Sequence, residues 1–161
     1  MKFDQHRVRT APVLVVGAGN WLISYDRIGP KVLQMCKNHF GPEVGLFNTG
    51  SSGLNLLDII ADQELLLIVD ACIGNGAVGD IHIVEPNLEY QKAMGSGSHQ
   101  INPLEVLMVA KCLYPEKLPK KTLFILVETN GMDDVMLERS CRRVFKTIKG
   151  IIEQWSAGDL R

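Results

Sequence analysis

Short continuous apolar runs alternate along this chain with stretches in which apolar residues recur at helical spacing. A continuous run predicts a strand that is covered on both faces, and spacing near 3.6 residues predicts a helix. The strands expected on this basis are 13–16, 44–47, 65–69, 80–84 and 122–127. The helices expected are 28–35, 54–60, 104–113 and 134–155. This alternation predicts a single α/β domain over residues 1–161, a three-layer, mostly parallel twisted sheet with helices on both faces, as in phosphorylases and hydrolases.

The stretch from Ala11 to Val32 reads as a buried strand, a tight turn with Gly17-Ala18-Gly19-Asn20, a short loop and the start of a helix. A dinucleotide-binding fingerprint requires a third glycine where Leu22 stands, and no Lys-Ser or Lys-Thr pair follows to form a phosphate loop. The glycines therefore suit a tight turn. Ligands of parallel sheets gather beyond the carboxyl ends of the strands, which is where the loop places Asp26.

Two more polar residues follow apolar elements in the same way. Asp70 comes directly after the run 65–69, and His99 lies in a polar loop before a helix that Asn102 is suited to cap. If the three meet at one edge of the sheet, two carboxylates and an imidazole suit a borderline divalent metal such as nickel, zinc or iron, with coordination positions left open. The residues alone leave another interpretation open, in which Asp26 caps a helix, Asp70 belongs to a turn and His99 is an ordinary loop residue.

Composition excludes several other classes of protein. The formal net charge is −1, so no overall field favours nucleic acid or an anionic membrane. The first ten residues have no apolar core of a secretory signal, and no apolar run is long enough to cross a bilayer as a helix. The four cysteines are widely spaced and form no Cys-x-x-Cys pair. We therefore expect a cytoplasmic protein with no nucleic-acid or membrane partner.

At three stretches the chain resembles the hydrogenase maturation endopeptidases, which process the large subunit of nickel-iron hydrogenases. Each match is weak alone, but the matches occur in the family's order and spacing. They are Gly17-Ala18-Gly19-Asn20 with Asp26 and Gly29, then Val69-Asp70-Ala71 with Gly79, then Ser98-His99-Gln100 ahead of an apolar helix.

The resemblance implies an endopeptidase that removes the C-terminal extension of a nickel-iron hydrogenase large-subunit precursor after nickel insertion. It implies that Asp26, Asp70 and His99 bind nickel presented by the precursor, so the free enzyme would bind the metal weakly. Asp26 and Asp70 are the candidate catalytic residues. The residues expected to contact the substrate are Gly19, Asn20, Asn48, Gly50 and Glu128.

The chain departs from the family pattern at two places. Tyr25 and Arg27 flank Asp26, where the family has an acid before and a small residue after. The turn after the second strand reads Asn48-Thr49-Gly50, where the family commonly has Asp-Gly-Gly. Two alternatives therefore stay open: a non-catalytic relative that binds or chaperones a metalloprotein precursor, and a small-molecule hydrolase on the same fold. The chemistry of cleavage is open too, between a metal that polarises the carbonyl or activates water and an aspartate that acts as base.

Overall fold

The computed structural model of the chain describes residues 5–50, 52–88 and 102–160. In this part of the chain five strands form one sheet in the order β2-β1-β3-β5-β4. The strands are β1 Val13–Ala18, β2 Val44–Gly50, β3 Leu65–Cys72, β4 Ile81–Val84 and β5 Lys121–Glu128. All neighbouring pairs are parallel except β4 with β5. The predicted α/β class with a mostly parallel sheet is confirmed.

Helices cover both faces of the sheet. They are α1 Gln5–Thr10, α2 Ile28–Cys36, α3 Pro103–Leu113 and α4 Asp134–Ala157. α2 and α4 pack on one face, and α3 packs on the other with the 3₁₀ segment Gly53–Asp58. The structure therefore has the three layers that the sequence predicts. None of the helices in the described ranges is both long and apolar enough to cross a membrane.

Side chains of the central strand β3 alternate strictly between the two layers. Leu65, Leu67 and Val69 pack in the α2–α4 core, whereas Leu66 and Ile68 pack in the α3 core. All five are fully buried, which is why the sequence shows a continuous apolar run rather than an alternating one. Asp70 continues the series of Leu66 and Ile68, so its side chain leaves the sheet on the α3 side.

Several elements differ from the sequence prediction. The helix α1, Gln5–Thr10, was not expected, and the expected helix at 54–60 is the short 3₁₀ segment Gly53–Asp58, where the exposed Asn55 side chain donates to the Thr49 carbonyl at 3.2 Å. The strands run further than predicted: β1 to Ala18, β2 to Gly50, β3 to Cys72 and β5 to Glu128. Asp70 therefore lies inside the end of a strand and not in the turn after it.

α3 connects the region after β4 to the start of β5. Its N-terminus has a capping box, in which Asn102 Oδ1 accepts from the Glu105 N–H and Glu105 Oε2 accepts from the Asn102 N–H. Beyond its C-terminus, the Lys117 carbonyl accepts from the N–H of Asp62, just before β3. The C-terminus of α3 thus lies at the amino edge of the sheet and its N-terminus points towards the carboxyl edge. Residues 89–101, which include the predicted ligand His99, lie outside the described residues.

Candidate active site

Asp26 is held at the carboxyl edge by the turn that follows β1. It ends the 3₁₀ turn Ser24–Asp26, which packs against β3, and its Oδ2 accepts the backbone N–H of Asn20 at 2.8 Å. Asn20 also braces this loop, because its Oδ1 accepts the N–H of Leu22 at 2.9 Å. Gly19 has φ +119°, and a Cβ there would lie 2.1 Å from the Asp26 carbonyl oxygen. Gly19 and Asn20 therefore serve to place Asp26.

The other two glycines of this stretch allow α2 to start directly on the strand ends. A Cβ on Gly29 would lie 2.1 Å from the Ala18 carbonyl oxygen and 2.8 Å from that of Val69. A Cβ on Gly17 would lie 2.6 Å from the Gly29 carbonyl oxygen. These contacts are between backbones, so side chains cannot move aside to relieve them. The Gly-x-Gly pattern thus reflects tight packing of helix against sheet.

Asp70 lies beside Asp26 at the same edge. Its Oδ1 accepts the N–H of Ala71 at 2.8 Å. Burial raises the pKa of Asp70 to about 7; the Ala71 hydrogen bond opposes this rise and the charge of Asp26 adds to it. The pKa of Asp26 is also raised by burial, against the hydrogen bond from Asn20. The structure therefore brings together two of the three predicted ligands as a coupled pair of carboxyls.

Such a pair is suited to two kinds of chemistry. Asp70 carries a proton for part of the time at neutral pH, as a general acid or base requires. The two carboxylates are also oxygen ligands for a divalent cation, which would displace that proton. Within the described ranges, no group of three or more His, Cys, Asp or Glu residues is placed to hold an ion. The donors present fit a metal incompletely, and the third predicted ligand, His99, lies outside these ranges.

The end of β2 is joined to the Asp26 loop. The Gly50 carbonyl accepts the N–H of Gly19 at 3.2 Å, and Asn48 Oδ1 accepts the N–H of Gly50 at 2.9 Å. Gly50 has φ +64°, a conformation that glycine adopts without strain. Asn48 and Gly50 therefore lie at the same edge as Asp26, and the Gly50 carbonyl is bonded to the turn that carries Asp26. Their predicted contact with substrate stays a prediction.

The side chain of Glu128, also predicted to contact substrate, is buried in the protein interior. Only 5% of its surface is exposed, and its Oε2 accepts the N–H of Gly74 at 2.8 Å. Its Oε1 lies 3.4 Å from Nε2 of His82, and Cys72 is its cross-strand partner on β3. Burial and the charges of Glu128 and Asp70 raise the pKa of Cys72 to about 11, so this thiol is protonated and a poor nucleophile.

Sequence reasoning did not find this group, although one signal was available. Cys72 and Glu128 are the last residues of two strands, and they are paired across β3 and β5. Recognising the pair requires the register of these strands, which the apolar pattern does not give. The His82 imidazole, on β4, lies 3.4 Å from Glu128 of the neighbouring strand β5.

Arg27, the unusual cation next to Asp26, pairs with the start of α4. Its Nη2 lies 2.8 Å from Asp134 Oδ1, and its Nε donates to the Ser24 carbonyl at 3.4 Å. The positive charge is therefore balanced by Asp134, and the pair connects the Asp26 turn to α4.

Large apolar side chains are exposed beyond the carboxyl ends of β1, β3 and β5, in two connecting segments and in the first turn of α4. We call Leu22, Tyr25, Ile73 and Val135 the apolar rim; their exposed fractions are 92%, 51%, 64% and 79%. They follow β1, β3 and β5, whose carboxyl ends share one edge of the sheet. Apolar residues grouped in this way are typical of a surface that contacts another protein.

Comparison with known proteins agrees with this architecture. A sequence model of the family described as hydrogenase maturation protease matches residues 30–155. The chain belongs to the hydrogenase maturation protease family. The family resemblance predicted from the sequence is thereby confirmed, and this maturation protease is a peptidase. A search of curated protein sequences finds no match to it.

Solved structures share the fold of this maturation protease at low sequence identity. The hydrogenase maturating endopeptidase HybD from E. coli superposes with a TM-score of 0.68 at 18% identity, over 91% of this chain and 93% of that one. The [NiFe] hydrogenase maturation protease HycI from Thermococcus kodakarensis gives 0.64 at 20% identity, over 92% and 97%. A hydrogenase 2 maturation peptidase from a Thaumarchaeota archaeon gives 0.56 at 18%, over 91% and 98%.

Proposed function

We propose that this maturation protease removes a C-terminal extension from the large-subunit precursor of a nickel-iron hydrogenase, and that nickel already inserted in the precursor is its recognition element. The observation that carries the proposal is the pairing of Asp26 with Asp70 at the carboxyl edge. The family to which the chain belongs, and the [NiFe] hydrogenase protease that it resembles in fold, support this choice of substrate.

The charge of the pair supports recognition of a cation that the substrate brings. Burial, to which the charge of Asp26 adds, raises the pKa of Asp70, so an ionised pair is unfavourable here and a divalent ion would offset that cost. Two or three protein ligands leave coordination positions for groups of the precursor. Such an incomplete site binds free metal weakly and gains affinity when the metal arrives with its own ligands. His99 is the proposed third ligand, in the segment before α3.

The residues of the chain have separate tasks in this proposal. Asn20 fixes the Asp26 carboxylate through its backbone N–H, while Ala71 orients Asp70. Nickel, when bound, would supply a positive charge next to the scissile carbonyl. With nickel bound Asp70 would be ionised, and its carboxylate is suited to take a proton from the attacking water and return it to the leaving amine.

The apolar rim supports a protein as substrate rather than a small molecule. Its four side chains project from the β1–α2 connection, the loop after β3 and the first turn of α4. Burying them against a folded precursor would contribute apolar area at the point where the extension meets the site. We therefore propose that the rim contacts the precursor close to its nickel centre.

The experiment compares nickel-loaded and nickel-free precursor after incubation with the protease, by intact mass. We expect loss of a C-terminal peptide from the loaded form alone, and no cleavage by Asp26→Asn or Asp70→Asn. Asp159→Asn, which removes an exposed carboxylate after α4, is the matched control and should cleave normally.

Each other outcome contradicts a defined part of the proposal. Equal cleavage of both precursor forms would show that nickel is not recognised. Binding of the precursor without cleavage would indicate a chaperone. Metal-insensitive hydrolysis of model esters or nucleosides, with no effect on the precursor, would indicate a small-molecule hydrolase.

A further inference from the structure

The loop that follows β3 is built around a single buried carboxylate. We define the Glu128 loop as residues 73–80; residues 73–77 are all exposed, and the loop leaves β3 three positions beyond Asp70. At one end, the N–H of Thr129 donates to the Cys72 carbonyl at 3.1 Å. At the other, the Glu128 N–H donates to the Asp80 carbonyl at 3.0 Å, and the Glu128 carbonyl accepts the N–H of Gly79 at 2.8 Å. Both ends of the loop are thus fastened at the end of β5.

The side chain of Glu128 holds the middle of the same loop. Its Oε2 accepts the N–H of Gly74 at 2.8 Å. A Cβ on Gly74 would lie 2.7 Å from Oε1, and one on Gly76 would lie 2.9 Å from Cγ. The loop backbone therefore packs directly on the glutamate, and the two glycines provide the space for it. Neither glycine has a positive φ, so packing rather than backbone conformation requires glycine here.

A buried carboxylate is costly unless its hydrogen-bonding capacity is met. Glu128 accepts the Gly74 N–H at 2.8 Å, its Oε1 lies 3.4 Å from Nε2 of His82, and Cys72 is paired with it across the sheet. These neighbours come from three different places in the chain. An apolar residue at this position would fill the space without fixing the loop, because the Gly74 N–H would lose its acceptor. The arrangement specifies one position of the loop relative to the end of β3.

We propose that Glu128 is a positioning residue for cleavage: by fixing the Glu128 loop it sets the position of Asp70 and the path of the precursor segment across the carboxyl edge. This inference rests on the proposed function. Asp70 and Cys72 lie on the same side of β3, Cys72 is paired with Glu128 across β3 and β5, and the Cys72 carbonyl accepts the N–H of Thr129 at 3.1 Å. A shift of the loop is therefore transmitted to the strand end that carries Asp70. A displacement of about 1 Å at a reacting group can reduce a rate by about 100-fold.

The test measures kcat, KM, melting temperature and product mass with nickel-loaded precursor. We expect Glu128→Ala to lower kcat by about 10- to 100-fold with little change in KM, and to spread the cleavage over neighbouring bonds. Glu128→Gln keeps an acceptor for the Gly74 N–H and should recover most of the rate and the single product. Glu64→Gln removes an exposed carboxylate paired with Lys120 at the amino edge, and serves as the control.

Gly74→Ala tests the same contact without removing Glu128. Its added Cβ would lie 2.7 Å from Oε1, the end of the glutamate side chain, so the carboxylate must move away from the Gly74 N–H or the loop must shift. Either change loosens the loop and should lower kcat with the fold intact, because position 74 is exposed. In Glu128→Ala the colliding atoms are gone, so adding Gly74→Ala should cost nothing further. This non-additivity distinguishes a direct contact from two independent defects.

Three results would overturn the inference while leaving the proposed function in place. The first is an unchanged kcat in Glu128→Ala and Gly74→Ala. The second is a change in KM alone, which would indicate that Glu128 binds substrate. The third is a loss of rate that is fully accounted for by loss of folded protein. If the unmodified chain does not cleave the precursor, the proposed function fails and this inference fails with it.

Discussion

Asp26 and Asp70 are coupled: the charge of Asp26 helps to raise the pKa of Asp70 to about 7. The coupling joins the loop after β1 to the end of β3, two neighbouring strands of the sheet. Burial is the larger cause of this rise in pKa, so ionisation of Asp70 is unfavourable in the folded protein. A bound cation would remove this cost.

The first prediction concerns stability against pH. The pKa of Asp70 is higher in the folded state than its ordinary 3.8, so its contribution to stability is complete below about pH 4 and is lost as the pH rises through 7. Asp70→Asn removes the ionisation. We expect it to stabilise the chain by about 2 kcal/mol more at pH 8 than at pH 5, measured by denaturant unfolding. The same difference at both pH values would contradict the assignment.

A second prediction concerns metal affinity. If Asp70 is a ligand, Ni²⁺ must displace its proton, so the affinity of the free protein for Ni²⁺ should rise by about tenfold per pH unit below 7 and then level off. Titration calorimetry at pH 6 and pH 7.5 measures this rise. Asp70→Asn should bind weakly at both, and an affinity independent of pH in the unmodified protein would argue against Asp70 as ligand.

The third prediction concerns the start of α2. Gly29→Ala places a methyl group against two backbone carbonyls and should destabilise the fold by about 3 kcal/mol. Gly150→Ala is the matched control: no atom lies within 4 Å of its added Cβ, and the site is inside α4, where alanine should stabilise by about 0.5–1 kcal/mol. Melting temperatures that move in the same direction would contradict this account of the glycines.

The fourth prediction concerns the apolar rim. Leu22→Glu should raise KM for the precursor by about tenfold, the equivalent of about 1.4 kcal/mol of contact, and leave kcat and the melting temperature unchanged. Leu113→Glu, at an exposed leucine on the C-terminal end of α3, is the control and should behave like the unmodified protein. Equal effects of both substitutions would show that general charge, and not the rim, governs binding.

Much of this fold can be predicted from the local sequence. β1 and β3 are continuous apolar runs, and the Asn102-Pro103 pair marks the start of α3, so both layers and the parallel sheet follow from periodicity and capping. The carboxyl-edge rule then brings Asp26 and Asp70 together. Residues 54–60 were mispredicted as a helix because apolar spacing does not distinguish a short 3₁₀ segment from a helical turn.

Other features depend on contacts between distant parts of the chain. The contacts of Glu128 with Cys72, Gly74 and His82 exist because β5 lies between β3 and β4 in one register, and no local pattern encodes that register. The pairing of Arg27 with Asp134 likewise requires the packing of α2 beside α4. The role of His99 stays a prediction from the family resemblance.

The most direct test of the central claim is the intact mass of the precursor after incubation with the protease, in nickel-loaded and nickel-free forms. The account predicts release of the C-terminal peptide from the loaded form by the unmodified chain and by Asp159→Asn, and from neither form by Asp26→Asn or Asp70→Asn. Release from nickel-free precursor at the same rate, or full activity of either carboxyl variant, would contradict it.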